Sequence, residues 1–318
     1  MRERPPGVSV PDAAVPAGWA RTRERGAFFL MRLCLFGLRL LARPVMLPIV
    51  HGVALYFFFF GKRERDASLD YLRRVQAAVP DSGLQPTWRV AYRHFRSFGT
   101  AILDKIDTWS GRLKLADVTF EEQGEMRRLA FAPRGVMVLG SHLGNLEVLR
   151  ALGSLNNRVK LNVLVHTAHA DYFNRILRLA GSTEVELVQV TTLDPTTAFA
   201  LREKLDRGEW VVITGDRVPV HGGRTVDVNF LGGVAPLPIG PYVMAALLEC
   251  PVHFLVCLRK GRRYHAYFEP FAERIAWPQR ASRDAVIAEH AQRYAARLEH
   301  YLRLSPLQWF NFYPFWRA

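Results

Sequence analysis

RGVMVLGSHLGNLEVLRALG (134–153) decides the fold. A short apolar run ends at Gly140, a polar turn follows, and apolar residues return at helical spacing over 144–153. A strand that turns into a helix is the unit of a parallel sheet, whose strands are covered on both faces and read as unbroken apolar runs. The same signal recurs in KLNVLVH (160–166), VELVQV (185–190) and WVVITGD (210–216). Helical segments over 144–153, 170–180 and 195–207 separate these runs. Gly181 and Gly208 act as stops, and Pro195 sits in a first turn. VDVNFLG (226–232), PVHFLVCLR (251–259) and RYHAYFEPF (263–271) add strands, and 284–304 forms a last helix. The expected fold class is α/β, a mainly parallel or mixed central sheet flanked by helices, with an N-terminal helical membrane-associating segment.

Length and composition agree. The chain has 318 residues, enough for a large core, and 49% of them are hydrophobic, which excludes a disordered protein. Cys34, Cys250 and Cys257 lie in apolar runs and read as inert core thiols. The net charge is +14. Such an excess suits nucleic acid, an anionic membrane surface or an acidic partner. No zinc-finger spacing or aromatic RNA-binding motif is present, and many early arginines flank apolar stretches, which favours the membrane.

Residues 1–20 are rich in Pro, Gly, Ala and charge, and read as a disordered tail without the apolar core of a secretory signal. Residues 21–65 form the basic, apolar membrane-associating part. Arg32, Arg39 and Arg43 share one helical face, Pro44 breaks or kinks the pattern, and 44–60 carries no charge. Seventeen helical residues reach about 26 Å, short of a full hydrocarbon core of about 30 Å. Lys62, Arg63 and Arg65 follow at once. A hairpin embedded in or lying on the membrane is the favoured reading, with a true span and a buried soluble helix as alternatives. Residues 66–318 make the remaining domain: a helical layer over 66–112, with Tyr92, Phe95, Phe98, Ile102 and Ile106 on one apolar face, and an α/β core over 113–318.

The chemistry gathers at 140–153. His142 follows a strand end, where open α/β sheets place ligands, and Glu147 comes five residues later. A turn between them can bring the carboxylate to one ring nitrogen, fixing the tautomer and leaving the other free to take a proton. Ser141 lies outside a G-x-S-x-G elbow and reads as a turn or cap residue. A base without its own nucleophile implies that the substrate supplies one: an acceptor hydroxyl or amine attacking an activated carbonyl. His-x4-Glu is not a zinc spacing, and His166 with His169 lacks a ligand framework, so no metal is expected.

His142-x4-Glu147 at a strand–helix junction, TGDRVPV (214–220) and NFLGGVAPLPIGPYVMAALLECPVHFLVCLR (229–259) together resemble the bacterial lipid A biosynthesis acyltransferase family, within the lysophospholipid acyltransferase superfamily. The likeness runs over about residues 20–316. It implies acyl transfer from a thioester, of acyl carrier protein or coenzyme A, to a hydroxyl or amine of a lipid or glycolipid at the cytoplasmic face of the inner membrane. His142 then acts as base and Glu147 orients it. Backbone N–H groups near Gly144 and Asn145 are the expected oxyanion donors. Asp216 and Arg217 end a strand and should face the same crevice, where Arg217 suits a phosphate. Gly232 and Gly233, with Pro236, Pro238 and Gly240, read as a loop before a helix near Pro241 that can bind an anion, with Arg224 adding charge. No cofactor is expected. The ending QWFNFYPFWRA departs from the family's usual Trp followed by His and Arg, and looks more like a divergent branch tied to aryl-polyene pigment lipids. The competing class is a catalytically silent module that binds acyl lipid or carrier protein.

Overall fold

The computed structural model describes residues 43–80, 83–109, 112–121, 123–149, 159–165, 185–189, 195–218 and 223–317. The expected tail, Arg32, Arg39, Cys34, the helix over 170–180, His166 and His169 lie outside the described residues.

Among the described residues nine strands form two sheets. In chain order they are β1 (Val118–Phe120), β2 (Met137–Gly140), β3 (Leu161–Val165), β4 (Val185–Gln189), β5 (Trp210–Thr214), β6 (Thr225–Phe230), β7 (Gly233–Pro238), β8 (Val252–Lys260) and β9 (Arg263–Ala272). The main sheet has the order β1-β9-β8-β2-β5-β3-β4. Strands β8, β2, β5, β3 and β4 run parallel, while β9 folds back antiparallel on β8 and carries β1 beside it in parallel. The sheet is therefore mixed.

The central strands are apolar because both faces are covered. Met137 and Leu139 of β2 feed one core, with Val211, Ile213 and Phe254. Val138, between them, feeds the opposite core with Trp210, Val212 and Leu255. Successive side chains point to opposite faces of a strand, so two cores require an unbroken apolar run.

Among the described residues seven α-helices flank the sheets: α1 (Arg43–Phe60), α2 (Lys62–Ala78), α3 (Trp88–Trp109), α4 (Gln123–Ala130), α5 (Pro195–Asp206), α6 (Gly240–Leu248) and α7 (Arg283–Leu304). On α7, Ile287, Ala291, Tyr294, Ala295, Leu298, Tyr301 and Leu302 are buried at three- and four-residue spacing, one stripe against the core.

Three expectations meet the structure here. Pro44 occupies the first turn of α1, where its missing N–H has no intrahelical partner to lose, and Pro48 is accommodated within the helix, while the pattern that Pro44 was expected to interrupt lies outside the described residues. By length and composition α1 can cross a membrane, yet Met46, Ala54 and Phe58 are buried, while Tyr56, Phe57, Phe59 and Phe60 are exposed. Phe58 meets Trp88, Tyr92 and Phe95 of α3 edge-on. Arg43 pairs with Asp104 and Asp107 of α3, and Asp104 also accepts from the Tyr264 hydroxyl of β9. Second, the buried face of α3 is rotated from the expected one. Ala91, His94, Phe95, Ala101, Leu103 and Asp104 are buried, whereas Phe98 and Ile102 are exposed. Third, the expected loop at Gly232, Gly233, Pro236 and Pro238 is a β-hairpin. Leu231 and Gly232 turn it with φ of 48° and 72°, the mirror-image turn that suits twisted strands. Its prolines are tolerated because β7 has a single strand partner.

Gly135 enters β2 beside the start of β5, and a Cβ there would stand 1.8 Å from the Glu209 carbonyl oxygen. Gly135→Ala is expected to destabilise the protein by about 2 kcal/mol or more, read by thermal or denaturant unfolding in nonionic detergent.

Candidate active site

Parallel pairing of β2 with β5 sets Gly140 opposite Thr214. Two residues beyond each lie His142 and Asp216, so the sheet register brings them side by side. His142 Nδ1 is 2.8 Å from Asp216 Oδ1. The His142 backbone N–H donates to Asp216 Oδ2 at 2.8 Å, and Trp309 Nε1–H donates to the same oxygen at 3.0 Å. Asp216 is 1% exposed. Burial alone would raise its pKa, but the imidazole, the Arg217 charge and the Trp309 N–H prevail and hold it at about 2.

An ionised Asp216 only accepts, so Nδ1 of His142 carries the hydrogen. Burial lowers the imidazole pKa. Asp216 opposes that effect, while Arg217 and Lys105 add to it, and the net direction is down. At neutral pH the pair is therefore carboxylate and neutral imidazole, with the Nε2 lone pair unprotonated. Among the described residues Nε2 has no hydrogen-bond partner, and about 30% of the side chain is exposed.

The carboxylate on Nδ1 thus belongs to Asp216, where the sequence pointed to Glu147. Glu147 lies in a short 3-10 turn (Leu146–Leu149), half-buried, with its backbone N–H bonded to Asn145 Oδ1 at 3.2 Å. Ser141 is buried, and its hydroxyl oxygen accepts from the Leu143 N–H, a turn role.

The expected backbone oxyanion donors are already engaged. Gly144 N–H donates to the Gln308 carbonyl at 2.8 Å and Asn145 N–H to the Cys257 carbonyl at 2.9 Å. Gly144 has φ 76°, and a Cβ there would stand 2.0 Å from the Cys257 oxygen. The loop is locked against β8 and the C-terminal segment, and glycine is what lets it approach. Asn145 instead offers its side chain: the buried Nδ2 faces the Tyr264 hydroxyl, has no full hydrogen bond among the described residues, and borders a cavity of about 320 Å³ that also meets Asp104, Gly144, Arg259 and Phe310.

The other sequence candidates fall in separate places. Arg217 Nη2 donates to the Phe310 carbonyl at 2.6 Å, tying the strand end to the C-terminal segment. Arg224 lies 3.7 Å from Asp284 at the start of α7. Gly232 and Gly233 form the β6–β7 turn region, and a Cβ on Gly233 would meet Arg74 Nη1 and Trp316.

Sequence reasoning missed what holds Asp216. Trp309 is 1% exposed and packs edge-on with Tyr71, Phe230 and Phe315. Its carbonyl meets His94 Nε2 at 2.9 Å, and His94 Nδ1 meets the Ser68 hydroxyl at 2.9 Å. A carbonyl only accepts, so Nε2–H donates and Nδ1 accepts from Ser68. The aromatic ending thus packs into the core, with Trp309 clasping the Asp216 carboxylate.

Trp309→Phe keeps a ring but removes the donor to Asp216. Turnover is expected to fall about tenfold with the fold retained, measured by acylation rate beside near-ultraviolet circular dichroism. Burial lowers the His94 pKa to about 4 against the pull of the Trp309 carbonyl. The unfolded chain then takes up a proton near pH 6.5 that the folded chain refuses, so stability is lost as pH falls from 6.5 towards 4. The loss approaches about 3 kcal/mol, and His94→Gln is expected to flatten that part of the stability–pH curve.

The family model for bacterial lipid A biosynthesis acyltransferases matches residues 20–318. Among curated proteins none matches the chain. The match takes in the helical layer, both sheets and the C-terminal segment that carries Trp309, and the chain belongs to the bacterial lipid A biosynthesis acyltransferase family.

Proposed function

We propose that the protein moves a fatty acyl chain from an acyl thioester, on acyl carrier protein or coenzyme A, to a hydroxyl or amine of a lipid or glycolipid acceptor, with His142 as general base. The reading rests on one observation: an imidazole fixed at Nδ1 by an ionised, buried carboxylate, with Nε2 unpartnered among the described residues and part of the ring open. Nε2 takes the proton of the acceptor as its oxygen or nitrogen attacks the thioester carbonyl. The tetrahedral intermediate expels the thiolate, which regains that proton from the imidazolium. Asp216 stabilises the imidazolium between the two steps. The Asn145 amide, buried beside the Tyr264 hydroxyl at the neighbouring cavity, is the donor that best suits the oxyanion, in place of the engaged backbone N–H groups.

Membrane association is part of the proposal. The exposed rings of Tyr56, Phe57, Phe59 and Phe60 on α1, followed by Lys62, Arg63 and Arg65, suit the headgroup layer at the cytoplasmic face of the inner membrane.

His142→Ala is expected to lower acyl transfer about 10²–10⁴-fold in a membrane-fraction assay. Undiminished turnover would remove the base. Asp216→Asn and Glu147→Gln separate the two carboxylates. Asp216→Asn is expected to cost the larger factor, and Glu147→Gln costing more would return the orienting role to Glu147. The depressed imidazole pKa keeps Nε2 unprotonated through neutral pH, so the acid limb of the rate profile is expected below pH 6.5. Since Asp216 raises that pKa, Asp216→Asn is expected to move the limb lower still.

A further inference from the structure

A second cavity, about 590 Å³, opens beside the first. The two share Ser97, Arg259 and Gln308 as walls, so the larger one adjoins the cavity bordered by Gly144 and Asn145. Arg93 and Arg96 line it from α3, at a three-residue spacing that puts both on one helical face. Both side chains are exposed, and neither guanidinium has an ion-pair partner among the described residues. Arg259 adds a third guanidinium, 3.4 Å from Asp104. Thr100 brings a hydroxyl, and Leu84 and Leu307 give the groove an apolar side.

Two unpaired guanidinium forks in a concave setting match the oxygens of a phosphate, which each can hold by two parallel hydrogen bonds. The position favours a lipid over a soluble ligand. Arg96 lies within electrostatic reach of His51 on α1, and Phe98 and Ile102, two exposed apolar residues of α3, follow within two turns.

We propose that the Arg93–Arg96–Arg259 groove binds a phosphate ester on the headgroup of the lipid acceptor, and so orients that acceptor toward the His142 loop. This rests on the acyl-transfer reading above, but its test does not depend on turnover alone.

The full chain in nonionic micelles is titrated with dihexanoyl phosphatidic acid and with dihexanoylglycerol, which has the same acyl chains and no phosphate. Arg93→Gln/Arg96→Gln is expected to weaken phosphatidic acid binding about tenfold and to leave dihexanoylglycerol unchanged, with Arg127→Ala on α4 as a neutral control. Equal loss for both ligands, or binding as in the parent protein, overturns the groove. In acylation kinetics the double variant is expected to raise KM for a phosphorylated acceptor about tenfold, with KM for the thioester donor and kcat little changed. A rise confined to the donor KM assigns the arginines to the donor or its carrier protein and overturns the proposal. Arg93→Lys/Arg96→Lys keeps the charge without the fork, and intermediate affinity is expected. His142→Ala is expected to bind phosphatidic acid as the parent does. If the parent protein transfers no acyl group while the phosphate-dependent difference persists, the groove stands and the acyl-transfer reading fails.

Discussion

The site depends on one buried carboxylate. Asp216 is nearly inaccessible, yet its oxygens receive the His142 imidazole N–H, the His142 backbone N–H and the Trp309 indole N–H. Taking a charge out of water is costly, and three N–H donors offset the cost while holding the group ionised. The carboxylate in turn fixes both the ring and the backbone of His142, so rotamer and loop are set together. The parallel register of β2 and β5 makes this possible, because it delivers the two strand ends to the same depth at the carboxyl edge of the sheet.

The C-terminal segment is the second half of that arrangement. Leu143 bridges to Trp309, Gly144 bonds to Gln308, Phe310 N–H reaches the His142 carbonyl, and Arg217 holds the Phe310 carbonyl. A line of polar contacts runs from Ser68 through His94 and the Trp309 backbone to the indole, Asp216 and His142. It joins the helical layer to the carboxyl edge of the sheet. Aromatic packing around Trp309 keeps water from competing for its N–H, which strengthens the bond to Asp216.

The helical layer faces two ways. Toward the core, His94 and Phe95 of α3 support the C-terminal segment, and Asp104 links Arg43 of α1 to Tyr264 of β9. Toward the outside, α1 presents rings and α3 presents exposed arginines beside a cavity. Apolar and cationic surface on adjoining helices is what an anionic lipid layer rewards, and here it lies beside the cavity bordered by Gly144 and Asn145.

The sequence by itself determined the alternation of apolar strands and helices, because each central strand serves two cores and so is mostly apolar, with Asn162 and His253 as the buried polar exceptions in β3 and β8. It also singled out His142, from its place after a strand end, and the family, from several motifs in order. It could not determine which carboxylate meets the imidazole. Glu147 is near in the chain, whereas Asp216 is 74 residues away and becomes a neighbour only through strand pairing. Nor could it reveal that the Gly144 and Asn145 N–H groups are engaged, since their acceptors, Gln308 and Cys257, come from distant segments. The α3 face was misjudged because periodicity marks apolar residues without saying which are covered, and Phe98 and Ile102 are left exposed. Trp309 and His94 left no local signal at all. Their roles come from long-range hydrogen bonds, and only the tertiary structure decides where a donor far along the chain finds its acceptor.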